Sequence, residues 1–455
     1  FYKVVLSIAV PVIVQNSISN IVNLLDNVMV GQVGTAEMSG VAIANQLLFV
    51  FNLCIFGGLS GPSIFGAQFY GAGDMEGLKD TFRIKLWISL TILALALAAF
   101  LGMGDQLIGL YLTGSGDPAD AALMFLSAKD YLLIMLLGLL PFSLSQAYSG
   151  TLRETGETVL PMKASVAAVL ANLVGNWILI YGNLGAPKMG VAGAAIATVI
   201  SRFVELGIIL YAVRKNPKFS FLRGAYRTLR VPAALFKSVM RKGMPLLINE
   251  ALWSVAMAML MQIYSVRGLM VLAGLNIAST VNNLFNVVYI AIGSAVAVIV
   301  GQSLGANDME KARGDAWKLL AFSFGACVVV GGILAALSPV MPLIYPAGAE
   351  VHALATVFIL TGACFMPVHA VTHCTYFTLR SGGSTIVTFL FDCVFTWGAS
   401  IPFAYLMVYK TNLDIMTLYP VCQSIDLLKC GIGVFLVAKG VWIRNIVAAP
   451  EAEVA

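Results

Sequence analysis

The segment Ser19–Gly34, SNIVNLLDNVMVGQVG, places a carboxylate, Asp26, among asparagines inside a long apolar run. Asn16, Asn20, Asn23 and Asn27 recur at spacings of four, three and four, and Ser19, Asn23 and Asp26 keep the same rhythm. At about 3.6 residues per turn these side chains share one helix face. A single Asn in a membrane helix ties helices together for under about 1 kcal/mol. Four of them with an ionisable acid exceed that need. An Asp at the centre of a membrane helix costs about 3 kcal/mol, and no base lies one turn from Asp26 to offset it. The chemistry this predicts is the binding and release of a cation from a wetted helix face.

Asn172 and Asn176 stand four apart and share a second face. Thr198 lies in GVAGAAIATVISR, whose small residues allow close helix approach. Together with Asp26 and Asn23 they offer oxygen ligands for a hard cation such as Na⁺, whereas a protonatable Asp alone serves H⁺.

The other acids sort by the same test. Glu205 follows Arg202 by three residues and Asp426 precedes Lys429 by three, so each is expected to pair along its own helix. Glu250, in PLLINEALW, has only Arg241 and Lys242 two turns back, and Asp392, in FLFDCVFTW, has no base nearby. These two, with His369 and Asn283, are the candidates of the second half. His369 and His373 are four apart, a spacing that metal sites use. His352 is 17 residues from His369, about 25 Å along a helix, so three histidines on one helix cannot share a metal. Asp392 would be needed to complete a site, and a pH-sensitive polar patch is the expectation instead. No resident metal and no cofactor beyond a coupling ion is expected.

These residues need elements to hold them. The 455 residues are 59% hydrophobic and 11% charged, against about 25% charged in soluble chains. Spans of about 20 apolar residues cross a bilayer, and twelve are expected, at roughly 3–30, 38–68, 84–112, 123–150, 160–181, 190–213, 238–265, 271–302, 317–345, 352–379, 385–409 and 417–440. All must be helices, because lipid cannot satisfy free backbone groups. The fold class is therefore all-α and polytopic. The seven cysteines lie in apolar segments without a CxxC and read as reduced core residues. The first apolar run has no small-residue cleavage pattern, so no cleavable signal peptide is expected.

Loop charges set the orientation. One side collects Lys79, Arg83, Lys85, Arg153, Lys163, Lys311, Arg313, Lys318, Arg380 and the nine bases of 214–242. The other has Lys188, Arg267 and Lys410, with Lys129 near a helix end. The positive-inside rule puts both termini and the basic linker in the cytoplasm of a plasma-membrane protein. The linker reads as a juxtamembrane loop, not as a nucleic-acid patch.

The chain also repeats itself. GAQFYGAGDMEGLKD (66–80) matches VGQSLGANDMEKARG (300–314) at an offset of 234, and LRETGET (152–158) is echoed by LRSGGST (379–385) at 227. Lys3, Pro11, Gly34 and Phe51-Asn52 match Lys237, Pro245, Gly268 and Phe285-Asn286. The halves are two pseudo-symmetric six-helix bundles, 1–213 and 238–440, with a linker at 214–237 and a tail at 441–455. An even helix count keeps them parallel, as in alternating-access carriers. In the repeated turn, Gly71 and Gly305 are expected to end one helix in the left-handed conformation, and Asp74 and Asp308 to cap the next.

No G-x-x-x-x-G-K-[ST] occurs, nor any Gly-Lys pair, so transport would run on an ion gradient or on an ATPase in another chain. No nucleophile–base pair or metal cluster stands out, which argues against an enzyme. A channel would conduct without coupling, whereas a carrier shows counterflow. A flippase for anionic lipid carriers should place free Arg or Lys at membrane depth, and only Arg202 and Lys429 are found there, each next to an acid.

The motifs DNVMVGQVG (26–34), GAQFYGAGD (66–74), LRETGET, GVAGAAIATVIS (190–201), GQSLGANDMEKA (301–312), LRSGGS (379–384) and WGASIPFAYL (397–406) resemble those of the multidrug and toxin extrusion (MATE) family. That family belongs to a larger superfamily that also holds lipid-linked oligosaccharide flippases. The resemblance covers essentially the whole chain. It implies two bundles forming a V around a central cavity, from which organic cations leave in exchange for H⁺ or Na⁺. The family's first-helix acid falls on Asp26, its fifth-helix polar pair on Asn172 and Asn176, its sixth-helix Thr on Thr198. Asn176 stands where some members carry Asp. The seventh-helix acid of the NorM-like branch falls on Glu250, and that branch's tenth-helix acid has His369 nearby here. The expectation is a monomeric antiporter of small organic cations among membrane lipids, without a nucleic-acid partner.

Overall fold

A computed structural model describes residues 1–112 and 118–448, apart from the side chains of Asn23, Leu24 and Asn27. Twelve of its helices are long and apolar enough to cross a membrane. They are α1 (Tyr2–Gly31), α2 (Thr35–Gly71), α3 (Met75–Leu112), α4 (Pro118–Glu154), α5 (Val159–Leu179) and α6 (Gly190–Lys215). After the linker come α7 (Ala233–Ser265), α8 (Leu269–Gly305), α9 (Met309–Leu337), α10 (Ala349–Ser381), α11 (Thr385–Lys410) and α12 (Ile415–Lys439). The chain is a multi-pass membrane protein.

The helices fall on the expected spans; α3 starts at Met75 rather than at 84, and α9 is displaced at both ends, running from Met309 to Leu337 rather than from 317 to 345. Its start is set by Asp308, whose carboxylate accepts from the Lys311 amide at 3.1 Å. Several helices run to 37 or 38 residues, well over the roughly 20 that span hydrocarbon. That excess corrects one expectation: Lys79, Arg83, Lys85, Arg153, Lys163, Lys311, Arg313, Lys318 and Arg380, assigned to loops, all lie inside helices. Lys85 is wholly buried, paired with Glu154 and donating to the Thr151 hydroxyl at 2.9 Å.

The chain forms two compact units. The N unit holds 14–63 and 75–237, and the C unit holds 1–13, 64–74 and 238 onward. The divisions of α1 and α2 follow Pro11 and Pro62, where a helix loses a backbone hydrogen bond. In the N unit, one core joins Val41, Phe51, Tyr131, Leu139 and Ala195, and a second joins Phe82, Tyr148, Leu152 and Ile209. In the C unit, Val5, Ile8 and Val12 pack with Ala295, Leu319 and Trp442, while Tyr264, Phe358 and Leu418 form another core.

The repeated turn has a different physical reason from the one its glycines suggest. The left-handed residues are Gly73 (φ 75°) and Asn307 (φ 60°), two positions after Gly71 and Gly305. In both copies the next aspartate amide bonds five residues back, Asp74 to Phe69 at 2.9 Å and Asp308 to Ser303 at 3.0 Å, closing a Schellman turn. Gly71 and Gly305 instead let two helix ends cross within the C unit. A Cβ on Gly71 would lie 2.0 Å from the Gln302 carbonyl oxygen, and one on Gly305 would lie 1.9 Å from that of Gln68. Gln68, wholly buried, then ties this crossing to the chain after α12. Its amide donates to Ser381 O at 2.8 Å and Arg444 O at 3.2 Å and accepts from Ile446 N at 2.8 Å.

Candidate functional site

In the N unit the expected residues converge. Asp26, half-buried in the last turns of α1, accepts a 2.6 Å hydrogen bond from the Asn176 amide. The orientation that satisfies the Asn172 amide puts its nitrogen 3.0 Å from both Asp26 oxygens and its oxygen 3.0 Å from the Thr198 hydroxyl. Asn172 and Asn176 project from one face of α5 and are buried. Close approach of α6 comes from its small residues: a Cβ on Gly175 would lie 2.9 Å from Ala197, and one on Gly193 2.6 Å from the Leu179 carbonyl.

The Asn176 oxygen is buried beside Asp26 with no hydrogen-bond partner. An orphaned buried acceptor costs about 1–3 kcal/mol, which a cation or proton reaching it would offset. Among the described residues Asp26 makes no ion pair within 4.0 Å. Arg202, one turn beyond Thr198, acts on Asp26 through its charge, while its guanidinium reaches Glu205 at 3.7 Å and covers the Phe142 ring at 5.0 Å. The Arg202–Glu205 pair is the one read from spacing. Asn23 lies outside the described side chains. Two neighbours of this cluster went unread: Tyr131 on α4, which lies within electrostatic reach of Asp26, Thr198 and Asn45, and Asn45 itself on α2. Asn45 passes the same test as the α1 asparagines, being an amide in an apolar span; Tyr131 has no distinguishing signal.

The C unit departs further from expectation. Asp392 is not alone. Lys429 reaches its Oδ1 at 2.6 Å, and Asn249 donates to its Oδ2 at 2.9 Å. Asp426 therefore does not pair with Lys429; it meets His369 Nε2 at 3.1 Å. The i,i+3 rule fails here because both side chains find better partners on neighbouring helices. Asp392 sits in a π-helical turn, Leu390–Val394, followed by a second at Thr396–Ser400. Such turns interrupt the usual ladder and occur often at functional sites. Glu250 accepts from the Tyr376 hydroxyl at 3.1 Å and lies within electrostatic reach of Arg380 and Asp392. Asn249, Asp392 and Lys429 are thus one bonded group, while Glu250 is bonded to Tyr376 and reaches Asp392 only through its charge. His369 stands apart with Asp426, and Asn283 is exposed with no bond to either group among the described residues. His373 packs among the rings of Tyr289, Tyr376 and Phe377.

The sequence profile of the MatE family matches residues 11–178 and again 245–406, two stretches that begin 234 residues apart, as the internal repeat does. The chain belongs to the MatE family. Among curated relatives, the probable multidrug resistance protein NorM of Thermotoga maritima is 24% identical over 451 residues, covering 99% of this chain and 95% of its own. The multidrug resistance protein PmpM of Pseudomonas aeruginosa is 26% identical over 411 residues, covering 89% and 83%. Among solved structures, an outward-facing multidrug resistance MATE transporter of the MOP superfamily superposes with a TM-score of 0.84 at 20% identity, over 96% of this chain and 95% of that one. These likenesses agree with the all-α architecture of twelve spans.

As a MatE member the chain is a transporter and not an enzyme. The matched stretches contain Asp26, Asn172 and Asn176 in the first copy and Glu250, His369 and Asp392 in the second. Thr198, Asp426 and Lys429, which partner them, lie outside.

Proposed function

We propose that this MatE chain is a secondary antiporter that exports amphipathic organic cations in exchange for H⁺ or Na⁺ at the plasma membrane, as a monomer with both termini cytoplasmic. The observation that carries the reading is Asp26: a half-buried carboxylate in an apolar helix, held by Asn172 and Asn176 rather than by a base, beside an unpartnered amide oxygen. Relatives named for multidrug resistance support the substrate class. Deprotonated Asp26 attracts a cationic drug. A proton or Na⁺ arriving from outside takes the same carboxylate, with the amides and Thr198 supplying oxygens to Na⁺, and the drug leaves. Competition for one carboxylate is itself a coupling free energy, typically about 1–3 kcal/mol. The C unit, where Asp392 already holds an ammonium, contributes through Glu250. Arg202 and Lys429, the two bases expected at membrane depth, each touch an acid, which weighs against an exporter of anionic lipid-linked metabolites, although Arg153 on α4 meets Gln15 rather than an acid.

Efflux of ethidium or norfloxacin from a pump-deficient cell tests this. Asp26→Asn should lower efflux by about 5–150-fold, the range that such coupling spans, at unchanged membrane abundance. In proteoliposomes, imposed H⁺ and Na⁺ gradients name the ion. Wild-type efflux from Asp26→Asn would end the reading.

A further inference from the structure

We infer that residues 214–237 form a docked basic platform that binds the headgroups of anionic phospholipids at one face of the membrane. The inference rests on α6 and α7 spanning the bilayer and is independent of the transport cycle.

The segment runs from the end of α6 into the first turns of α7 and contains seven Lys or Arg and no Asp or Glu. A solvated tether needs no fixed shape, but this linker has one. Phe219, Leu222 and Ala225 are 2%, 1% and 0% exposed, packed with Phe82, Leu152 and Ile209 of the N unit. Arg83 Nε donates to the Ala225 carbonyl at 3.1 Å, and the Tyr148 and Tyr226 hydroxyls meet at 2.7 Å. With the apolar side down, Arg214, Lys215, Lys218, Arg227, Arg230 and Lys237 are turned outward. Lys218 reaches Glu157 at 3.5 Å and Lys215 rests on the Tyr211 hydroxyl at 3.1 Å. Arg214, Arg227, Arg230 and Lys237 have no ion pair among the described residues.

Depth decides the partner. Two membrane spans end on the platform. The Trp87 indole of α3, 46% exposed, donates to the Leu229 carbonyl at 3.0 Å. Exposed Trp and Tyr mark the water–hydrocarbon boundary, and Tyr226 and Phe236, 52% and 40% exposed, lie among the same bases. Guanidinium groups at that boundary are matched by phosphodiester oxygens, which they bind in bidentate fashion. Each base close to an anionic bilayer strengthens such attraction about fivefold.

The full-length protein in nanodiscs of equal phosphatidylcholine and phosphatidylglycerol, stripped gently and weighed by native mass spectrometry, should retain phosphatidylglycerol preferentially. R214Q/R227Q/R230Q/K237Q should lower that preference at least about tenfold, and R214K/R227K/R230K, which keeps the charge and loses the bidentate fork, should lower it less. In the wild type, brominated phosphatidylglycerol should quench tryptophan emission more than brominated phosphatidylcholine, and Trp87→Phe should remove the excess. Equal quenching by the two lipids overturns the proposal without reference to any variant's folding. So does full lipid preference in the Gln variant, displacement of the lipid by millimolar inorganic phosphate, or preferential capture of an oligonucleotide.

Discussion

Asp26 and Asp392 are both carboxylates in apolar helices, yet their neighbours differ in kind. Asp26 is held by amide N–H groups, which orient it without cancelling its charge. Asp392 is held by an ammonium at 2.6 Å and an amide at 2.9 Å, with the Lys429 and Asp392 side chains only 11% and 16% exposed. Removing one member of a buried pair strands the other and costs about 3–5 kcal/mol. Lys429→Met should therefore lower the melting temperature in detergent sharply. Lys429→Met combined with Asp392→Asn should recover most of the loss. Additive losses would show that the contact contributes no coupling. That Asp26 makes no ion pair among the described residues was legible because no base lies near it in sequence. The partner of Lys429 was not, because spacing along one helix says nothing about what a neighbouring helix brings, and the π turns around Asp392 change which way it points.

At the scale of elements, twelve helices were legible because long apolar runs leave the backbone no other hydrogen-bonded state in lipid. The repeated turn was visible as a pattern, while its cause lay in a helix crossing. Gly71 and Gly305 carry ordinary helical backbone and are set by contact, whereas Gly73 is set by its positive φ. The two kinds respond differently to alanine. Gly73→Ala meets nothing within 4 Å and bears only the left-handed penalty, about 1 kcal/mol. Gly71→Ala and Gly305→Ala would push methyl groups to 2.0 Å and 1.9 Å from backbone oxygens, which cannot swing aside as a side chain would. Each should lose several-fold more folded protein than Gly73→Ala, measured as the monodisperse fraction after mild heating. Equal behaviour of the three variants would mean that the crossing is looser than described. The same reasoning extends to Gln68, whose three bonds to Ser381, Arg444 and Ile446 fix the crossing to the end of α10 and to the segment after α12.

For the whole molecule, orientation follows from where charge is left exposed after folding. Pairing and burial remove several bases from the count: Lys85 is buried against Glu154, Arg83 is bonded to Asp80 at 2.6 Å, and Arg267 is turned onto the Val408 and Thr411 carbonyls at 2.6 and 2.7 Å. The asymmetry survives the correction. Arg214, Lys215, Arg227, Arg230 and Lys237 remain exposed on the linker, while Lys188 and Lys410 are the exposed bases expected on the other side. Moving such a cluster across the bilayer is what the positive-inside rule opposes. Cysteines placed at Lys188 and Lys237, both exposed, report this directly once the native Cys364, also exposed, is replaced by Ser. In intact cells an impermeant maleimide should label Lys188→Cys and leave Lys237→Cys unlabelled until the membrane is opened. The reverse pattern would place the basic linker outside. The proposed direction of export, and the side from which the proposed coupling ion would reach Asp26, would then be reversed.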